Sequence, residues 1–164
     1  MAGTVTVRPA EASDVAEAGR VTVAAFRASN LVPEGARYED ELADAVGRAR
    51  DAELLVAVSG GRVVGTVTFC RYGSRYAEIA GTGEAEFRML AVDPAAWRTG
   101  VGEALVRAVV RRTRQTGAGA VVLSVPHDAY PAQRLYQRLG FVRVPERDHS
   151  PVAGVFLLAY RLVL

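Results

Sequence analysis

One segment restricts the folds open to this chain more than any other. A run of β character from Glu84 to Val92 stops at Asp93-Pro94, a turn carrying Gly100 and Gly102 follows, and a helical pattern then continues to about Gln115. A strand that turns directly into a helix belongs to a sheet whose face that helix covers, so a layered fold is required. The remaining segments fit such layers. Thr4 to Arg8, Glu53 to Val58, Val63 to Tyr72, Val121 to Val125, Phe141 to Val144 and Val155 to Val163 have strand character, and Gly60-Gly61 reads as a hairpin turn between two of them. Ser13 or Asp14 is expected to cap a first helix, with Glu17 completing a capping box and Val15, Ala18, Val21 or Thr22, and Ala25 as its apolar stripe. Asn30 to Ala36 and Gly73 to Gly83 read as loops. Tyr38 to Arg50 is expected to form one helix with Leu42, Ala45 and Val46 on a common face, and Pro131 opens a last helix that runs to Leu139. The order β-α-α-β-β-β-α-β-α-β-β describes an α/β chain with a mixed sheet and helices on its faces.

Composition removes several classes of function. The 164 residues, half of them hydrophobic, suit a single domain over 1–164 with one real core. All 20 basic residues are arginine and the formal charge is only +2. The arginines are scattered apart from Arg111, Arg112 and Arg114, which fits a solvated helix face, so no nucleic-acid partner is expected. The single cysteine, Cys70, excludes an internal disulfide and a cysteine-based zinc site. His127 and His149 are too isolated to suggest a metal, and none is expected. No apolar run approaches the roughly 18 residues of a membrane span, and Met1 to Ala10 lacks a signal-type run, so a cytoplasmic protein without a membrane partner is the expectation.

The chemistry starts at the turn. The first N–H groups of a helix have no partners within it, and the helix dipole favours an anion there. Gly100 and Gly102 would let a diphosphate approach the backbone, and Arg98 offers a charge-assisted contact. On the residues alone three readings compete: an ordinary strand-turn-helix junction, a dinucleotide site and a coenzyme A site. The G-x-G-x-x-G fingerprint of the second is absent.

Two segments decide between them by resemblance. Val92-Asp93-Pro94, then Trp97-Arg98-Thr99-Gly100-Val101-Gly102, then Glu103-Ala104-Leu105-Val106 resembles the acyl-CoA motif of the GNAT superfamily of N-acetyltransferases. That motif is a strand ending in Val-Asp-Pro, then Arg/Gln-x-x-Gly-x-Gly/Ala and a helix. Both glycines match; Trp97 stands where Arg or Gln is usual, and Thr99 where a basic residue is common. Ala132-Gln133-Arg134-Leu135-Tyr136-Gln137-Arg138-Leu139-Gly140-Phe141 is similar to the family's Ala-x-x-Leu-Tyr-x-x-x-Gly-Phe signature. The resemblance implies a central mixed, mostly antiparallel sheet of about seven strands flanked by about four helices. It also implies acetyl-CoA as co-substrate and direct transfer in a ternary complex to a primary amine of a small molecule or peptide.

Roles follow residue by residue. In Glu84 to Val92, Phe87 and Met89 are apolar on one parity, Leu90 and Val92 on the other, which means either burial on both faces or a β-bulge. The resemblance implies the bulge, with Met89, Leu90, Ala91 and Val92 giving backbone groups to pantetheine and to the acyl oxygen. It implies that Trp97, Arg98, Thr99, Gly100, Val101, Gly102 and Glu103 hold the pyrophosphate. Tyr136 shares a helix face with Ala132, Leu135 and Leu139, as a core tyrosine would; the resemblance implies a general acid aimed at the thiol sulfur. Glu86 is the candidate base, with Glu84 as its alternative, whereas Cys70 reads as a packed strand cysteine. Glu34, Glu39, Asp40 and Glu41 would suit a cationic amine, or simply complement a helix dipole. Two rival classes stay open: a non-catalytic acyl-CoA-binding or sensing domain, and an interaction role in which Val155-Phe156-Leu157-Leu158 pairs with a second copy as a homodimer.

Overall fold

The computed structural model describes residues 3–31 and 37–164. Its elements are β1 (Thr6–Pro9), α1 (Val15–Ala28), α2 (Arg37–Ala43), α3 (Ala45–Asp51), β2 (Glu53–Ser59), β3 (Arg62–Arg71), β4 (Glu84–Val92), α4 (Val101–Gln115), β5 (Ala120–Pro126), α5 (Tyr130–Arg138), β6 (Val142–Arg143) and β7 (Leu157–Val163). The seven strands form one sheet in the order β1-β2-β3-β4-β5-β7-β6. Neighbours run antiparallel except β4 and β5, which are parallel. The expected mixed, mostly antiparallel architecture is therefore present, with five helices among the described residues instead of about four. No helix among them is long and apolar enough to cross a membrane.

Both faces of the central strands are covered, which is why β2 and β3 read as apolar runs rather than clean alternations. Leu54, Val56 and Val63 pack with Ala18, Val21 and Ala45 on one face. Leu55, Ala57, Val67, Phe69 and Phe87 pack on the other with Val101, Leu105, Val109 and Tyr136. Helices α1 to α3 thus cover one face, and α4 and α5 the other. Gly65 sets how closely α4 lies on the sheet: a Cβ there would come within 2.8 Å of Val101 Cγ1, 2.9 Å of Leu105 Cδ1 and 3.2 Å of the Ala91 carbonyl. Gly65→Ala is expected to destabilise the protein by about 1–3 kcal/mol through overpacking, read as a lower urea midpoint with an unchanged slope.

Several local expectations change. The helix expected over Tyr38 to Arg50 is two helices, because the Asp44 carboxylate accepts the Gly47 N–H at 2.9 Å and starts α3 anew. Leu42 and Ala45 are buried as anticipated, but the break turns Val46 outward to 63% exposure. Asp14 does not open a capping box with Glu17; its carboxylate reaches back to the Glu11 N–H at 2.7 Å and to Arg8 at 2.6 Å. The last strand starts at Leu157, two residues later than expected. Its first residues cannot serve as a free sheet edge for a second copy, since Leu157 pairs with Pro126 on one side and exchanges two backbone bonds with His149 on the other. The loop expected over Asn30 to Ala36, and Glu34 within it, lies mostly outside the described residues.

One buried cation ties α2 and α3 to the core. Arg48 is fully buried, donates to the Glu41 and Leu42 carbonyls at 2.9 Å each, and reaches Thr22 Oγ1 at 3.3 Å. Thr22 in turn meets Thr66 on β3 at 3.0 Å. Arg48 makes no ion pair among the described residues, and burial lowers its pKa from the ordinary arginine value. The carbonyls at the C-terminal end of α2 supply the negative partial charge it needs.

Candidate active site

The parallel pair β4 and β5 is the origin of the site. They pair only from Glu84↔Ala120 to Glu86↔Val122, although β4 continues to Val92 and β5 to Pro126. Beyond Glu86 the strands leave a wedge between them. The reason lies in β4 itself. Thr66 faces Ala91 and Thr68 faces Arg88, so Val67 alone opposes both Met89 and Leu90. Met89 takes φ +55°, a left-handed conformation rare for a residue with a side chain. This is the β-bulge, and it explains the parity switch: Met89 packs beside Leu42 on the α1–α3 face, while Leu90 packs into the core under α4 and α5.

Backbone direction past the bulge follows from one hydrogen bond. The Asp93 N–H donates to the Val64 carbonyl at 2.8 Å, towards β3. Successive residues of a strand point their polar groups to opposite sides, so the N–H and carbonyl of Val92 face the wedge.

The turn to α4 closes one end of the wedge. Arg98 and Gly100 both have left-handed backbones, at φ +62° and +87°. Among the described residues no side chain caps α4 and a Cβ on Gly100 would meet nothing within 4 Å, so they leave an anion open access to the first-turn N–H groups. A Cβ on Gly102 would touch Leu135 at 3.4 Å and Val92 at 3.8 Å, which shows how closely the turn, the end of β4 and α5 converge. Trp97, 43% exposed, donates its indole N–H to the Val92 carbonyl at 2.8 Å.

Helix α5 carries Tyr136 to the α4–α5 side of the wedge. Gln133 donates to the Pro126 and His127 carbonyls at 3.0 Å each, fixing α5 to the end of β5. Gln133 and Gln137 both bond the Tyr160 hydroxyl on β7, at 3.3 and 3.2 Å. Tyr136 is buried against Phe87, Phe141 and Tyr160, with ring centroids 5.8, 5.9 and 6.3 Å away. Its hydroxyl makes no hydrogen bond among the described residues, and burial pushes its pKa above the ordinary phenol value.

Glu86 lies on the opposite, α1–α3 face, fully buried. Its Oε1 accepts the backbone N–H groups of Glu78, Ile79 and Ala80 at 3.0, 2.8 and 2.9 Å, which pins the β3–β4 loop. Its Oε2 has no partner among the described residues. Burial raises the pKa of this carboxyl against the opposing pull of those N–H groups and Arg88. Glu86 and Tyr136 therefore stand on opposite faces of the sheet, one on each side of the strand that borders the wedge.

Glu84, the alternative base, is a structural ion-pair centre instead. It accepts from Arg147 at 2.7 Å, Arg161 at 2.6 Å and the Gly81 N–H at 2.8 Å. Burial opposes its ionisation, but these donors outweigh it and hold the pKa down to about 2. A carboxyl with a depressed folded pKa stabilises the fold above its unfolded value near 4.5 and loses that contribution as pH falls towards 2. Glu84→Gln is accordingly expected to cost about 3 kcal/mol in urea unfolding at pH 7, with the difference shrinking on acidification below pH 5.

Other side chains are placed as follows. Cys70 is buried opposite Glu86, and burial, aided by that carboxylate, raises its thiol to about 12, a value unsuited to a nucleophile. Of the α2 acids, Glu39 is paired with Arg27, and Glu41 lies 3.8 Å from Arg88. Arg88, next to the bulge, also pairs with Glu78 at 3.0 Å and donates to the Tyr76 carbonyl. Two of the three acids of α2, Glu39 and Glu41, are therefore answered by arginines. Arg88 was not singled out by the sequence, since the partners that make it part of the site come from α2 and from the β3–β4 loop.

The comparisons with known proteins agree with this geometry. The acetyltransferase (GNAT) family model matches residues 20–141. A mycothiol acetyltransferase of Pseudarthrobacter chlorophenolicus is 36% identical over 111 residues, covering 66% of this chain and 31% of that protein. The chain thus spans about a third of the length of the curated relatives it matches. A GNAT-family acetyltransferase from Staphylococcus aureus Mu50 shares the fold at a TM-score of 0.78 and 15% identity, over 98% of this chain and 99% of that one. A putative acetyltransferase from Salmonella typhimurium, solved with its cofactor acetyl-CoA, does so at 0.70 and 21%, over 98% and 94%. The matched span contains the bulged strand, the glycine turn and the tyrosine-bearing helix together, and the chain belongs to the acetyltransferase (GNAT) family.

Proposed function

We propose that this chain transfers an acetyl group from acetyl-CoA to a primary amine of a small molecule or peptide, directly and in a ternary complex. Acetyl transfer from acetyl-CoA is the typical reaction of the family. The observation that carries the proposal is the bulge at Met89 and Leu90, which opens β4 from β5 beside Tyr136 and in line with the uncapped end of α4.

In this reading the N–H groups opening α4 receive the pyrophosphate, and the open side of Gly100 leaves room for it. Backbone groups from Met89 to Val92 hold the pantetheine arm and the thioester oxygen, which become an oxyanion hole as the carbonyl carbon turns tetrahedral. The amine lone pair forms the new C–N bond, and collapse of the intermediate breaks the C–S bond. The amine proton passes to Glu86 Oε2, directly or through water, and the Tyr136 hydroxyl protonates the departing thiolate. Base and acid stand on opposite faces of the sheet, so the amine enters from the α1–α3 side and the thiol is released towards α4 and α5.

Two measurements test this. Calorimetry should show binding of acetyl-CoA and desulfo-CoA but not NAD, and an amine panel should reveal thiol release. Binding without thiol release from any amine would favour the sensing domain; no binding would refute the coenzyme A reading altogether.

A further inference from the structure

We propose that the indole of Trp97 occupies a hydrogen-bonding position of the cofactor arm and acts as a built-in competitor for it. This rests on the acetyl-CoA reading above. Three observations carry it. The Val92 carbonyl faces the wedge, because its neighbour Asp93 is bonded to β3. Past Glu86 no strand among the described residues pairs with β4 on that side, so this carbonyl lies on an open strand edge. An open edge of this kind binds an extended, amide-bearing ligand much as it would an added strand. Yet the acceptor is already taken, by the Trp97 N–H at 2.8 Å.

The consequence is a defined cost. The pantetheine arm carries two amide N–H groups, and one of them can use the Val92 carbonyl only after the indole has swung away. Trp97 is 43% exposed and follows a short turn (Pro94–Ala96), so the ring can leave without dismantling the core. An intramolecular hydrogen bond of this type is worth about 0.5–1.5 kcal/mol net, so its presence weakens cofactor binding by roughly two- to twelvefold. Trp97 would then set the affinity for the arm of the cofactor while leaving the phosphates to the turn.

The test is calorimetry on the full chain with two ligands, desulfo-CoA and 3′-phosphoadenosine diphosphate, which has the same phosphates but no amide-bearing arm. Trp97→Phe removes the N–H and keeps a ring; Trp97→Leu removes both. The expected result is desulfo-CoA binding about two- to twelvefold tighter in both variants, with the diphosphate unchanged. If desulfo-CoA binds equally or more weakly, the indole supports the turn and the proposal is wrong. A parallel shift for both ligands also overturns it, because the effect then lies in the phosphate turn. If wild type and variants all fail to bind either ligand, the coenzyme A reading itself falls and takes this inference with it.

Discussion

Glu86→Gln is expected to lower kcat by about 10²- to 10³-fold with little change in acetyl-CoA affinity, in line with the usual contribution of a general base. The substitution suits the question because the amide oxygen can still accept the three backbone N–H groups that Glu86 Oε1 holds, while no basic oxygen remains. A raised pKa means that this carboxyl takes up its proton at a higher pH than an ordinary glutamate. Wild-type kcat should therefore fall on the acid side as pH drops through that raised value, and this limb should vanish in the variant. Unchanged turnover combined with a lower urea midpoint would instead reduce Glu86 to a clamp for the β3–β4 loop.

Tyr136→Phe should be comparably costly to turnover, by about 10²-fold or more, and nearly silent in everything else. The Tyr136 ring is packed by three aromatic neighbours, whereas its hydroxyl bonds nothing among the described residues. Removing only the oxygen leaves that packing intact, so urea stability and the acetyl-CoA dissociation constant should hold while thiol release slows. Burial keeps the phenol protonated across the neutral range, the state a donor to a departing thiolate requires. Equal losses in binding and turnover would mark Tyr136 as a packing residue.

What the sequence could and could not carry follows from range. The strand-turn-helix at 84–115 was legible because strand, glycines and helix are all local; even the bulge left a trace, as apolar residues changed parity between Met89 and Leu90. The divergence of β4 from β5 was not legible, because it depends on where a strand some thirty residues away stops pairing. Glu84 and Glu86 look alike in sequence. What separates them is Arg147 and Arg161, far along the chain, which converge on Glu84 alone. The division of the Tyr38 to Arg50 segment was missed because its helical periodicity is intact and only the Asp44 cap interrupts it.

Arg48 has a consequence for how an acceptor would be chosen. Helices of seven residues, like α2 and α3, do not hold together by themselves, and here one guanidinium locks the end of the first to α1 and β3 from inside the core. Peeling α2 away would strand that cation without its carbonyl partners, and peeling α3 away would drag it out of the core it fills, so the wall proposed to face the acceptor comes and goes with the domain as a whole. The ordering entropy of that wall is then spent once, when the chain folds, and is not charged again to each arriving amine. Under the proposed function, selection along α2 and α3 would then be a matter of fit to a standing mould rather than of closure around the guest.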